Sequence, residues 1–257
     1  MHLGKKSAKH DSRTLKLASY LDLGRIEIDP RSYVNWYEKL KELYGLPLFG
    51  NDALGDCVLA SRAHGLQVAS LAESGLPTDI LTSEVIADYR DVGGYAGTPA
   101  TDNGAYMLDS LNNWRNKGMR GAGKRHKILA FASVNVHDKE ELRVANQLFG
   151  GIYCGFDLPR YVRGVSDPWT WYKSKGVQGD FEPGSWGGHA VWLARASEAK
   201  LGFVTWGREQ ICNHGFVQTY CDEAYVVLQN DWALDGKAPS GFDLEQLLAD
   251  VRARGGS

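Results

Sequence analysis

The sequence has no long hydrophobic run. Among its 257 residues, no apolar stretch approaches the roughly eighteen that a membrane-spanning helix needs, so no membrane partner is expected. Cysteine is scarce. Cys57, Cys154, Cys212 and Cys221 are the whole complement, too few in a chain this long for a disulfide scaffold, and free thiols in a reducing compartment are expected. An excess of charge of one sign is lacking too. Lysine and arginine number 29 against 31 acids, a formal charge of −2, which argues against bulk attraction to nucleic acid or an anionic membrane. There is no internal repeat and no low-complexity tract. The glycines of "GGYAG" and "GAG" lack the strand–loop–helix context and the Lys-Ser/Thr of a phosphate loop, and no cofactor is expected. Cys212, His214 and Cys221 are three potential metal ligands at a spacing that fits no common zinc module, so no metal is assigned.

The opening residues "MHLGKKSAKHDSRTLK" have neither an apolar core nor a small-residue cleavage site, so no secretory signal is expected and a cytoplasmic location is one expectation. Lys5, Lys6, Lys9, Arg13 and Lys16 stand there against one acid, Asp11. Residues 1–25 therefore read as a basic arm with a short helix at "SRTLKLASYL". The arm is either solvated and disordered or docked on a protein partner.

Residues 26–257 read as one domain of ordinary globular composition, 43% apolar and 23% charged. Helical patterns dominate its first half: "CVLASRAHGLQVASLAESG", "TSEVIADYRDVGG" with Thr82 or Ser83 as cap, and "TDNGAYMLDSLNNWRNKG". Strand patterns dominate the second half: "KILAFASVNV", "IYCGFDLP", "HAVWLARA", "KLGFVTWG" and "EAYVVLQ". A short helix capped by Asp138 interrupts them, and "FDLEQLLADVRA" closes the chain. This order predicts an α+β fold with a helical lobe at about 50–125, an antiparallel β lobe at about 126–235 and a C-terminal helix at about 242–254. A cleft is expected between the lobes.

Cys57 stands at the start of the first long helix, behind Gly55 and Asp56, with Asp56 as candidate N-cap. A helix N-terminus favours negative charge, and a thiol reacts as thiolate. The alternative is a small buried apolar residue. A partner histidine must be distant in sequence. His64 is seven residues on along the same helix, two turns away, and His214 lies in a polar loop. His189 opens an apolar strand straight after Gly187 and Gly188, which suits a general base, although a strand histidine can also be purely structural.

These residues resemble the papain-like cysteine peptidases. "DPRSYVNWYEKL" is similar to that family's mature N-terminal lead-in. Asn51, six residues before Cys57, stands where the family has an oxyanion-hole glutamine. "GDCVLAS", "DNGAYMLDSLNNWRNKG", "HAVWL" and "VTWG" follow in the family's order. More narrowly, the motifs "GND..GDC", "GGHAV" and "VTWG" resemble a group of bacterial and phage proteins, which adds a virion-associated location to the expectations. The resemblance implies a papain-like fold and a thiol hydrolase acting on peptide or isopeptide bonds. In it Cys57 is nucleophile, His189 the acid/base, Asn51 an oxyanion donor and Trp206 a shield for the histidine. Gly55, Asp56, Trp186, Gly187 and Gly188 would line the substrate cleft. The loop 160–188, with Trp169, Trp171 and Tyr172, would overhang it, or simply pack.

The sequence also departs from the family pattern. Leu54 replaces a paired cysteine, and no long propeptide precedes the domain. The position of the family's orienting asparagine holds Val204, which cannot hydrogen-bond an imidazole. Thr205 can, but alternation puts it on the opposite face of the strand from Val204, so a bulge or a one-residue slip would be needed. The second reading is therefore a catalytically silent structural or binding module, for example a phage-particle component. An open groove at Cys57 would favour the enzyme, and a groove plugged by the chain's own arm would favour the module.

Overall fold

The fold is organised by one helix that is buried on almost every side. In the computed structural model, which describes residues 2–26, 34–166, 168–229 and 242–253, helix α2 (Cys57–Ser74) is buried without interruption from Cys57 to Val68. Its alanines and Gly65 make that possible. A Cβ on Gly65 would sit 2.6 Å from the Trp192 ring, so the absence of a side chain lets the helix lie directly on the sheet. The buried guanidinium of Arg62 is answered by Asp88 at 2.7 Å and by the Ser110 carbonyl at 3.1 Å, as a charge in a core requires.

Around α2 stand α1 (Tyr37–Tyr44), α3 (Thr82–Gly93) and α4 (Met107–Lys117). The cap of α3 is Leu81 rather than Thr82 or Ser83: the Glu84 carboxylate reaches back to accept from the Leu81 N–H at 2.9 Å. A small hairpin, β3 (Met119–Gly121) with β4 (Lys124–His126), leads into the sheet half.

The main sheet runs β1 (Leu15–Lys16), β5 (Ile128–Ser133), β10 (Cys221–Gln229), β6 (Ile152–Leu158), β7 (Gly187–Ala196), β8 (Leu201–Thr205), β9 (Arg208–Cys212), with β2 (Val34–Asn35) on β7. Every pairing is antiparallel except β1 with β5. The fold is α+β, helices first and an antiparallel-rich sheet second. Its two faces bury separate cores. Ala190, Trp192, Ala194 and Val204 face α2 and its neighbours. Val191, Leu193 and Phe203 face α5 (Lys139–Phe149) and α6 (His214–Tyr220). Asp138 caps α5, accepting from the Glu140 and Glu141 N–H groups. A C-terminal helix, Leu244–Ala253, closes the described chain.

Three expectations are corrected. His214 is not in a loop: it opens α6 and is buried, and the strand β9 before it was not read from the sequence. "SRTLKLASYL" forms strand β1 and a 3-10 turn over Leu17–Tyr20 rather than a helix. The basic arm is not free: residues from His2 onward lie on the domain, and Lys5 pairs as a bridge with Ala105. The turn expected at Asp29-Pro30 lies outside the described residues.

Candidate active site

Cys57 is the first residue of α2, and its Sγ accepts from the Ala190 N–H of β7 at 3.4 Å. That single bond joins the helix start to the strand that carries His189. Both residues line one small cavity of about 10 Å3, with Asn51, Ser61, His64, Val204, Thr205 and Trp206. Such a space is about large enough for one water.

The His189 imidazole is held from two sides. Its Nε2 is 2.6 Å from the Thr205 Oγ1. Its ring stacks on Trp206, centroids 4.3 Å apart and planes 14° from parallel. Its Nδ1 is buried and makes no hydrogen bond. The Thr205 contact corrects the sequence argument. Thr205 does lie on the opposite face from Val204, but so does His189. Val204 shares its face with Ala190 and Trp192. His189 and Thr205 have the parity of Val191 and Phe203, which share the other face. Ordinary alternation brings the hydroxyl to the imidazole, and no slip is needed.

Trp206 sits in the left-handed region at φ 45°, followed by Gly207 at φ 74°. They form the two-residue turn between Thr205 and Arg208, which pair directly. Both central residues of a tight hairpin turn need positive φ, a conformation that suits Asn-Gly. A tryptophan there costs about 1–3 kcal/mol, and its return is the stack on His189. Trp186 leans on Trp206 in turn, 5.5 Å between centroids. The other loop aromatics divide. Trp169 is core, packed on Phe203 and Phe216, and does not overhang a cleft. Trp171 is half-buried and Tyr172 is exposed.

Asp56 is at the N-cap position, but its side chain makes no capping bond. The residue is fully buried, with neither carboxylate oxygen hydrogen-bonded. Burial pushes its pKa up to about 8. It is a neutral acid behind the thiol over most of the physiological range, not a lining group of an open cleft.

The cleft itself is filled by the arm. Residues 2–6 lie between the loop before α2, the start of α4 and the mouth of β7. Lys5 N–H donates to the Gly188 carbonyl at 3.1 Å, Lys6 N–H to the Ala105 carbonyl at 3.0 Å, and Ala105 N–H to the Gly4 carbonyl at 2.8 Å. The Gly4 N–H favours the Cys57 thiolate, by less than burial disfavours it. The fit is so close that a Cβ on Gly4 would strike the Gly55 carbonyl, and one on Gly188 the Lys5 carbonyl. Leu3 packs where Gly187 has no side chain. The Asn51 side-chain amide donates to the Leu54 carbonyl at 3.0 Å and to the His2 carbonyl at 3.4 Å, and the Trp206 indole N–H reaches that same His2 oxygen at 3.4 Å.

This packing sets the electrostatics. Cys57 and His189 are each 1% exposed. Burial pushes the thiol up to about 11 and the imidazole down to about 3. With the arm in place the two groups are therefore neutral thiol and neutral imidazole. His64, dismissed on helical spacing, borders the same cavity, and burial lowers its pKa to about 4. Among the described residues no three His, Cys, Asp or Glu side chains are grouped to hold a metal ion, so Cys212, His214 and Cys221 are not brought together. No described helix is long and apolar enough to cross a membrane.

Sequence reasoning allowed for a groove plugged by the arm but gave none of the contacts that hold it. The available signal was "LGKK", a glycine between an apolar residue and lysines, which can approach another backbone where other residues cannot.

A scan against known protein families finds no match. A search of curated proteins finds no similar sequence. Solved structures do match. Xylellain, a cysteine protease from Xylella fastidiosa, superposes with a TM-score of 0.66 at 14% identity, over 88% of this chain and 96% of that one. The ragweed cysteine protease Amb a 11 in its proform gives 0.57 at 15% identity, over 80% and 67%. The Carica candamarcensis cysteine protease CMS1MS2, in complex with E-64, gives 0.55 at 11% identity, over 77% and 98%. The fold of this chain is that of the papain-like cysteine proteases.

Proposed function

We propose that the chain is a papain-like thiol hydrolase, a peptidase or amidase, whose pair is Cys57 and His189. The observation that carries this reading is the tethering of His189. Thr205 holds its Nε2, Trp206 covers its ring, and its Nδ1 is left unbonded in the cavity it shares with Cys57.

The mechanism follows from the positions. With the arm displaced, solvent returns and the burial that keeps both groups neutral is relieved. The α2 N-terminus then favours the thiolate, and the proton resides on His189. The Cys57 sulfur attacks the carbonyl carbon, forming a C–S bond, and the carbonyl oxygen takes the negative charge. The Asn51 amide and the Cys57 N–H stabilise that oxygen. His189 gives its proton to the leaving nitrogen as the C–N bond breaks. Water, deprotonated by His189, then cleaves the thioester and releases the acid.

A second reading has its own observation. The arm seals the cleft and leaves Cys57 buried, as a silent structural or binding module would. The full chain, its Lys5→Ala variant and a Lys5→Ala/Cys57→Ala double variant, each incubated with denatured casein and read by mass spectrometry of new termini, separate the two. Cleavage by Lys5→Ala that vanishes in the double variant supports the hydrolase. No cleavage by any of the three, all folded, supports the module.

A further inference from the structure

Lys5 is the one buried residue of the arm's first stretch, residues 2–14. Its side chain is 0% exposed, and its Nζ lies among three carboxylates: Asp222 at 2.6 Å, Asp157 at 3.6 Å and Glu223 at 3.7 Å. Burying an ammonium is costly unless it is paired. Burial raises the pKa of Asp222, and that of Glu223 to about 7, and the Lys5 ammonium works against both shifts. Burial works against the charge on Lys5, but Asp222, Glu223 and Asp157 together outweigh it and raise its pKa.

The pocket is shaped for this stem. Its floor is Gly155 of β6, where a Cβ would collide with the Lys5 Cε and come 2.8 Å from the Met107 Sδ. Any other residue at 155 would close the space. Its far wall is Glu223. That side chain is only 4% exposed, its Oε2 accepts from the Tyr225 hydroxyl at 3.1 Å, and its Oε1 has no hydrogen-bond partner although it is buried. A buried carboxylate oxygen that has no hydrogen bond and faces an ammonium at 3.7 Å is placed to receive a cation. The cation these carboxylates hold in the structure is an alkylammonium, that of Lys5.

The position of the pocket along the cleft gives it a meaning. Gly4 packs on Gly55, two residues before Cys57, and Lys5 is its neighbour in the chain. The backbone partners of this stretch, Gly188 and Ala105, bind main-chain groups that any extended peptide carries. Selection therefore rests on the side chain entering between Gly155 and Glu223.

We propose that Asp157, Asp222 and Glu223 form a selectivity pocket for a basic side chain of a peptide substrate, one residue removed from the residue that packs on Gly55. The substrate class is lysine-bearing peptide, and Lys5 holds the place that the substrate lysine takes. This rests on the reading of the cleft as a peptide-binding site.

The test uses full-length chain carrying Lys5→Ala, with Lys5→Met beside it to keep the unbranched stem, and each again with Asp222→Asn and Glu223→Gln. The probes are blocked fluorescent peptides with Lys, Arg, Leu or Glu next to a glycine. Binding is read by anisotropy and cleavage by mass spectrometry. The lysine peptide should bind about thirtyfold or more tightly than the leucine peptide, and the acid-to-amide variants should abolish that preference, as expected for a buried charge pair. Arginine binding as well as lysine identifies charge alone as the criterion and supports the pocket. Selective binding without cleavage upholds the pocket and sinks the hydrolase reading. Cleavage indifferent to the basic residue upholds the hydrolase and overturns the pocket. Folded variants that bind none of the peptides overturn it too, since the acids would then serve only the arm.

Discussion

The Thr205 hydroxyl contacts the His189 imidazole, one position after the valine that stands where the papain-like pattern has an orienting asparagine. Its bond to His189 Nε2 is short and wholly buried, so removing it leaves a buried ring nitrogen unsatisfied. Thr205→Val should cost about 1–3 kcal/mol of imidazole positioning. The readout is a fall of about tenfold or more in the alkylation rate of Cys57 in the arm-released chain. Thr205→Ser should restore most of the rate, which a merely space-filling threonine would not require. Asp56 makes a second residue-scale prediction. Burial raises its pKa from 3.8 to about 8, so the folded chain holds a proton that the unfolded chain releases. That contribution is complete below the unfolded value, is lost as pH rises toward 8, and is flat beyond. The buried histidines act with the opposite sign at acid pH, since His64 is lowered to about 4 and His189 to about 3. Thermal melts of the wild type and Asp56→Asn between pH 4 and 8 isolate the carboxyl. The variant should gain on the wild type steadily as pH rises, and parallel curves would show that the acid is not neutral in the fold.

At the scale of elements, α2 and β7 matter most because their contact fixes where Cys57 and His189 meet. Gly65 is the closest point of that contact, 2.6 Å from Trp192 for any added Cβ. Alanine is a better helix former than glycine by about 1 kcal/mol, but here the clash should win. Gly65→Ala is expected to lower the melting temperature by the equivalent of about 1–3 kcal/mol, measured by denaturant unfolding. An increase in stability would mean that the helix sits further from the sheet. The long elements were legible because their patterns were unambiguous: α2 from its alanine-rich apolar run, α5 from Asp138 and its paired glycines, β6 and β7 from short β-branched and aromatic runs. The missed elements had weak patterns. β9, "REQIC", runs three polar residues into two apolar ones, without the alternation of a strand, and carries few β formers. α6 is two turns long and gets its cap from Asn213, which accepts from the Phe216 N–H. Cys57 and His189 could be singled out because they follow glycines at element starts, and Asn51 only through the family resemblance. The Thr205 contact was misjudged because the face of His189 itself was not worked out.

For the whole molecule, the decisive feature is the arm. A basic, polar segment with few apolar residues read as either solvated or docked on a partner. Its fixation comes instead from backbone bonds across a glycine-lined groove and from one lysine in a three-carboxylate pocket. None of these partners is near it in sequence, which is why the sequence could not show it. The arm makes the thiol neutral and inaccessible, so the chain as it stands should be latent, and Lys5 is the anchor whose loss should open it. The account stands most directly on the pH profile of Cys57 alkylation by iodoacetamide, read by mass spectrometry in the wild type, Lys5→Ala and Lys5→Ala/His189→Ala. It predicts negligible labelling of the wild type below pH 8, where burial holds the thiol near 11. It predicts fast labelling of Lys5→Ala well below the free thiol value of about 8.5, and collapse of that labelling when His189 is removed. Labelling of Lys5→Ala that rises only near the free thiol value and ignores His189 would contradict it.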